Sequence, residues 1–176
     1  MDDHQIAATV AQLRALGHPL RLRILRLCLE RDHTNQELAA GLDVAPATAL
    51  RHVRELVATG FLDSGEMRTG DSGAWERPYR ATRLSRRLAV HHVGHPDLSR
   101  DVQLAVVAAY HAELAASDLG VVRSQERLAM RLSESSLREL ISKVEALLRE
   151  YVQRDDPDGV GVSVLWSLHE RENGDQ

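Results

Sequence analysis

The sequence predicts an α+β protein in two parts. A helix-rich first half ends in a β-hairpin, and a second half holds one long helix followed by a strand–helix–strand unit. Three observations carry this. Apolar residues recur at helical spacing from about residue 5 to residue 59. A polar loop containing glycine, Met67–Gly73, separates two short runs that read as extended, 61–65 and 74–80. Beyond residue 97 a helical pattern gives way to alternation at 126–132 and 160–169, with a second helical stripe between them.

The elements follow in order. Residues 5–16 are apolar at 6, 10, 13 and 16, and Gly17 ends that helix. Pro19 stands where a helix can begin, because its missing N–H is one that no helix start uses. The run 20–29, interleaved with Arg21, Arg23 and Arg26, reads as a largely buried helix ending near Arg31. Thr34-Asn35-Gln36-Glu37 is a capping box that opens a short helix to Ala40, and Gly41 suits a left-handed close. A third helix runs from Ala45 or Pro46 to Thr59, with Pro46 tolerated in its first turn and Gly60 ending it. Thr82–Val90 reads as a further helix.

His91–Pro96 is the expected domain boundary, giving domains 1–92 and 97–170. Leu98–Ala116 is helical. Residues 118–125 carry no clear pattern. Glu126–Leu132 sets Leu128, Met130 and Leu132 against Arg127, Ala129 and Arg131, which predicts a strand. Ser133 caps a helix over 134–153 with apolar positions 137, 140, 141, 144, 147, 148 and 151. A turn at 155–159 leads to a strand at 160–169.

Composition limits the function classes. The 176 residues carry a net charge of −4. Residues 1–90 hold 13 Arg against 11 Asp and Glu, or +2, and the remainder holds 9 Lys or Arg against 15 acidic residues, or −6. A polyanion would be met by the first half. Cys28 is the single cysteine, so a disulfide within the chain and a multi-cysteine zinc cluster are excluded. Its apolar surroundings predict a buried thiol. No apolar run approaches the roughly 20 residues that span a bilayer, and the acidic start lacks the features of a signal peptide. A cytoplasmic protein is expected. There is no phosphate-binding glycine loop, nucleophile elbow or HExxH, so no enzyme activity and no cofactor are expected.

The informative stretch is Thr34–Leu62. A short capped helix, a turn of about four residues and a second helix make a helix-turn-helix. The first helix braces the second so that it can enter the major groove of duplex DNA. In the second helix, Ala49, Val53, Leu56 and Val57 form the expected inner face. Ala47, Thr48, Arg51, His52 and Arg54 are the expected reading face, since Arg pairs with guanine and the Thr methyl touches thymine. The hairpin that follows is a wing. Its Arg68, Arg77 and Arg80 are candidates for phosphate or minor-groove contact.

The segments ALGHPLRLRIL at 15–25, Glu37-Leu38-Ala39 and TALRHVRELVATGFL at 48–62 resemble the winged helix domain of ArsR-type bacterial regulators. The resemblance covers about residues 5–90. It implies a homodimeric repressor of transcription whose DNA affinity changes with an effector. It places Thr48, Arg51, His52 and Arg54 where family members contact DNA. Leu50, Pro46 and Ala47 are less polar than the family pattern, which implies thin base readout and more reliance on the wing. The family's Cys-x-Cys metal site is missing, because His33-Thr34-Asn35-Gln36 stands there. His91, His92, His95, Asp97 and His111 offer an alternative imidazole and carboxylate set. A solvated linker is the expected reading for them, with no metal bound.

The second half exceeds a minimal regulator. Leu98–Ala116 is the candidate dimer helix. The strand–helix–strand unit is open to three roles: a small-molecule site, a partner site or dimerisation alone. Tyr110 and Trp166 are expected to pack in a core. Two other functions compete: a winged helix that docks protein, and a regulator answering to metal through the His and Asp set.

Overall fold

A computed structural model describes residues 6–70, 73–82, 84–86, 88–89, 94–156 and 158–171. The chain divides into two units, residues 1–117 and 118–176.

The first unit is a helical framework with small sheets on it. Its order is β1 (Ile6–Ala7), α1 (Val10–Leu16), α2 (Pro19–Glu30), β2 (His33–Thr34), α3 (Asn35–Gly41) and α4 (Pro46–Ala58). Then come β3 (Leu62–Ser64), β4 (Arg68–Thr69), β5 (Trp75–Glu76), β6 (Pro78–Ala81), a 3-10 turn at Leu84–Arg86, β7 (Leu88–Ala89) and α5 (Pro96–Ala115).

The helix starts are local in origin. Thr9 caps α1 with a full capping box to Gln12, so the helix predicted from residue 5 begins only at Val10. Ile6 and Ala7 pair instead, in parallel, with Leu88 and Ala89. This pairing also replaces most of the helix expected over 82–90, where a single 3-10 turn precedes the strand. At α3 the predicted box is present. Glu37 N–H donates to Thr34 Oγ1 at 3.2 Å, and Thr34 N–H donates to Glu37 Oε2 at 2.7 Å. Gly41 lies inside α3, and the left-handed residue is Asp43 at φ 52°. Gly60 takes φ 80° after α4, a conformation that costs glycine little because it has no Cβ.

One antiparallel sheet, ordered β2-β6-β3, joins the far end of α2 to the hairpin. Its register pairs His33 with Tyr79, and Leu62, Asp63 and Ser64 with Ala81, Arg80 and Tyr79. The hairpin continues outward as β4-β5, with Arg68 opposite Glu76 and Thr69 opposite Trp75. One core cluster underlies all this. It includes Leu13, Ile24, Leu38, Val53, Leu56 and Phe61, each at most 1% exposed.

The boundary expected at 91–96 does not divide the chain. Helix α5 packs on α1 and α2, so it belongs with the winged helix elements. Val102, Ala105 and Ala109 form its buried face. Arg26 of α2 fastens it, pairing with Glu113 at 3.0 Å and with Glu30 at 2.7 Å.

The second unit holds one helix, α6 (Glu134–Val152), capped by Ser133 as the sequence predicts. The strands predicted at 126–132 and 160–169 form no ladder among the described residues. Each lacks a hydrogen-bonding neighbour there, so an alternating pattern alone makes no sheet. Trp166, expected in a core, is 40% exposed. No helix among the described residues is long and apolar enough to cross a membrane.

Candidate nucleic-acid interface

Helix α4 is held by three elements and leaves one face open. Ala49, His52, Val53 and Leu56 are buried, the i, i+3, i+4, i+7 spacing of one helix face. That face packs on α2, α3 and β3. Asn35 Nδ2 donates to Pro46 O at 3.0 Å and ties the start of α3 to the start of α4. Pro46 serves as the first residue of α4, and no side chain caps the helix start. Pro46 has no N–H and Thr48 N–H donates to the Ala45 carbonyl at 2.9 Å, so Ala47 is the first-turn residue whose N–H stays open to a partner.

The open face carries Ala47, Arg51 and Arg54, with Thr48 half-buried beside them. These four of the five predicted reading residues share a surface. The fifth does not. His52 is 3% exposed and lies on the inner face, three residues after Ala49 and four before Leu56. Read as polar, it looked like a surface residue. Its helical position is the stronger signal.

His52 does touch the reading face from behind. Arg51 Nη2 lies 3.2 Å from His52 Nε2, so the guanidinium donates and the imidazole accepts. The His52 ring stacks at 4.4 Å, tilted, on His18. His18 itself caps α2, its Nδ1 accepting from Leu20 N–H at 3.2 Å. Both imidazoles are held below the ordinary histidine range. Burial pushes the His52 imidazolium down to about 4, with His18, Arg51 and Arg21 adding to the same effect. Burial lowers His18 as well, followed by Arg21 and Arg51. Arg21 is committed elsewhere, donating to the Ala15 and Arg14 carbonyls at the end of α1.

The wing separates its three arginines. Arg68 pairs across the hairpin with Glu76 at 2.8 Å, and Arg77 is exposed. Arg80 is farther down β6, bound to Asp32 at 2.6 Å beside the end of α2. It belongs to the base of the sheet and not to the tip. Sequence reasoning passed over Trp75, which is 71% exposed on β5. A tryptophan in a two-residue strand beside a glycine loop has no core to enter, and that was the available signal.

The described members of the alternative metal set do not come together. His91 and His92 lie outside the described residues. His95 and Asp97 stand exposed at the start of α5, and His111 sits roughly 24 Å along the same helix. Among the described residues no three His, Cys, Asp or Glu side chains group as a metal site.

Residues 16–65 match the family model of a helix-turn-helix domain. The match runs from the end of α1 through α2, α3 and α4 into the first strand of the wing. It covers the reading helix and leaves the second unit unassigned. Among solved structures, the chain is similar to reduced HlyU from Vibrio cholerae N16961. That similarity is 22% identity over 44% of this chain and 77% of that one, with a TM-score of 0.37. No curated protein matches the sequence.

Proposed function

We propose that this protein is a sequence-specific DNA-binding regulator of transcription, a repressor that acts as a homodimer. Helix α4 enters the major groove, and the wing lies on the backbone or in the minor groove. The observation that carries this reading is the division of α4 into two faces. One face is fully engaged in the core, and the other presents Ala47, Thr48, Arg51 and Arg54 together at the surface. Small residues at the start of the helix permit close approach, and two arginines supply guanine or phosphate contacts. Arg68, Arg77 and Trp75 extend the contact along the wing. His52 drops out as a direct contact, and Arg80 is tied to Asp32.

The homodimer is supported by α5. Its inner face is spent on α1 and α2, yet Leu104 and Val107 remain 58% and 47% exposed on its outer face. Packing two such faces together would set two reading helices about one DNA turn apart.

Footprinting and gel shift on the protein's own upstream DNA test the reading. Affinity should fall steeply with salt, because each phosphate contact releases counterions. Arg51→Ala should cost about 1–3 kcal/mol if that residue reads a base. Unchanged affinity in both Arg51→Ala and Arg54→Ala would sink the assignment of the reading face. Salt-insensitive binding to a protein, with no gel shift, would favour a protein-docking winged helix.

A further inference from the structure

The second unit has no interior. Not one described side chain in 118–171 is buried, although α6 carries a complete apolar stripe. A unit of this size with no buried side chain cannot offset its own conformational entropy. On either side of α6 run two segments, 123–132 and 160–168, whose backbone groups make no backbone hydrogen bond among the described residues. Val160, Val162 and Val164 are 83, 76 and 69% exposed. The segment 160–168 has no charged residue and no proline. A long, uncharged, β-branched edge of this kind is what folded proteins keep covered.

We propose that these two segments are strands completed by a second copy of this chain, the first segment of each copy lying along the second segment of the other. Three features favour a second copy over a foreign protein. Charge is the first. Every basic residue of α6, and Arg154 just after it, pairs with a glutamate four residues earlier: Arg138, Lys143, Arg149 and Arg154. Arg123, Arg127 and Arg131 of the first segment have no ion pair among the described residues, and neither do Asp155, Asp156 and Asp158, which head the second. One segment thus carries the charge that the other's leading turn lacks.

Area is the second. The alternating apolar side chains of the two segments leave on the order of 800 Å² open, about what each partner of a standard stable complex covers. Closure is the third. A two-fold pairing engages each segment of both copies once and closes at two chains. This inference deepens the homodimer reading above and rests on it for the presence of two copies. The interface it adds is separate from α5.

Hydrogen exchange on the full chain, at high and low concentration, tests the proposal. Amides of 160–168 should be protected at least roughly tenfold when concentrated and lose that protection on dilution. Val162→Lys should strip protection from both segments while the peptides of α5 keep theirs. Disulfide trapping does not depend on that variant's folding. Chains with Leu128→Cys, on the same apolar side of the pleat, mixed with chains bearing Val160→Cys, Val162→Cys or Val164→Cys, should form a mixed disulfide in at least one combination. Buried Cys28 does not compete.

Coil-like exchange of 160–168 at every concentration, with no mixed disulfide, overturns the proposal. So does protection that dilution leaves unchanged, or a series of ever larger oligomers. If the homodimer reading itself fails, the full chain sediments as a monomer throughout. If only this inference fails, the dimer persists with 160–168 unprotected.

Discussion

The two units obey the same helix rules and end in opposite states. In the first, Phe61 and the inner face of α4 reach near-zero exposure, with α2, α3 and β3 packed against α4. In the second, α6 has a sharper cap than α4 and a regular run of i, i+4 ion pairs, yet nothing on it is buried. Local correctness is therefore not what makes a stable unit. Solvent-exposed pairs of this kind contribute little, because water and salt screen them. Stability comes from apolar area removed from water, and only the first unit has removed it.

The contrast can be broken most directly through the core. Phe61→Ala should cost the first unit about 3–5 kcal/mol, whereas Leu147→Ala on α6 should cost the isolated chain less than about 0.5 kcal/mol. Denaturant unfolding followed by labelling of Cys28 reads the first, and hydrogen exchange of the α6 amides reads the second. The buried thiol is pushed up to about 12 and stays unreactive until the first unit opens.

Acid gives the next largest effect, again confined to the first unit. His52 is neutral when folded, at about 4, against 6.5 unfolded. Below 6.5 the unfolded chain binds the extra proton. The stability that His52 contributes is thus complete above 6.5 and is lost as pH falls toward 4. The loss should reach about 1–3 kcal/mol. His52→Gln should flatten that part of the pH profile, and an unaltered slope would show that the ring is not held neutral. The arginine beside it ties this to function, since a charged His52 can no longer accept from Arg51.

The smallest expected effect is at the cap of α3. Thr34→Ala should cost about 1 kcal/mol in a thermal or denaturant melt. It should leave the Glu37 carboxyl, held down to about 2, largely where it is, because alanine keeps the backbone N–H that chiefly holds it, and Arg31 remains beside it. The contribution of Glu37 is present above 4.5 and disappears as pH falls toward 2, a window separate from that of His52.

What could be read directly from the residues was what neighbours within one turn decide. The capping box at Thr34, the proline starts at Pro19 and Pro46, the helix stop at Gly60 and the spans of α2, α4 and α6 are short-range matters. They follow from sterics and hydrogen bonds inside a few residues. The open face of α4 was legible as well, except at His52, because a polar side chain hides an inward position until the packing partner is known. Three features belonged to the tertiary structure alone. Helix α5 joined the first unit because α1 and α2 offered it a surface, although a His-, Gly- and Pro-containing stretch precedes it. Arg80 left the wing because the register of β6 set it beside Asp32. The alternating segments flanking α6 stayed unpaired because a strand is completed only by another strand, and its own sequence cannot say whether one is within reach.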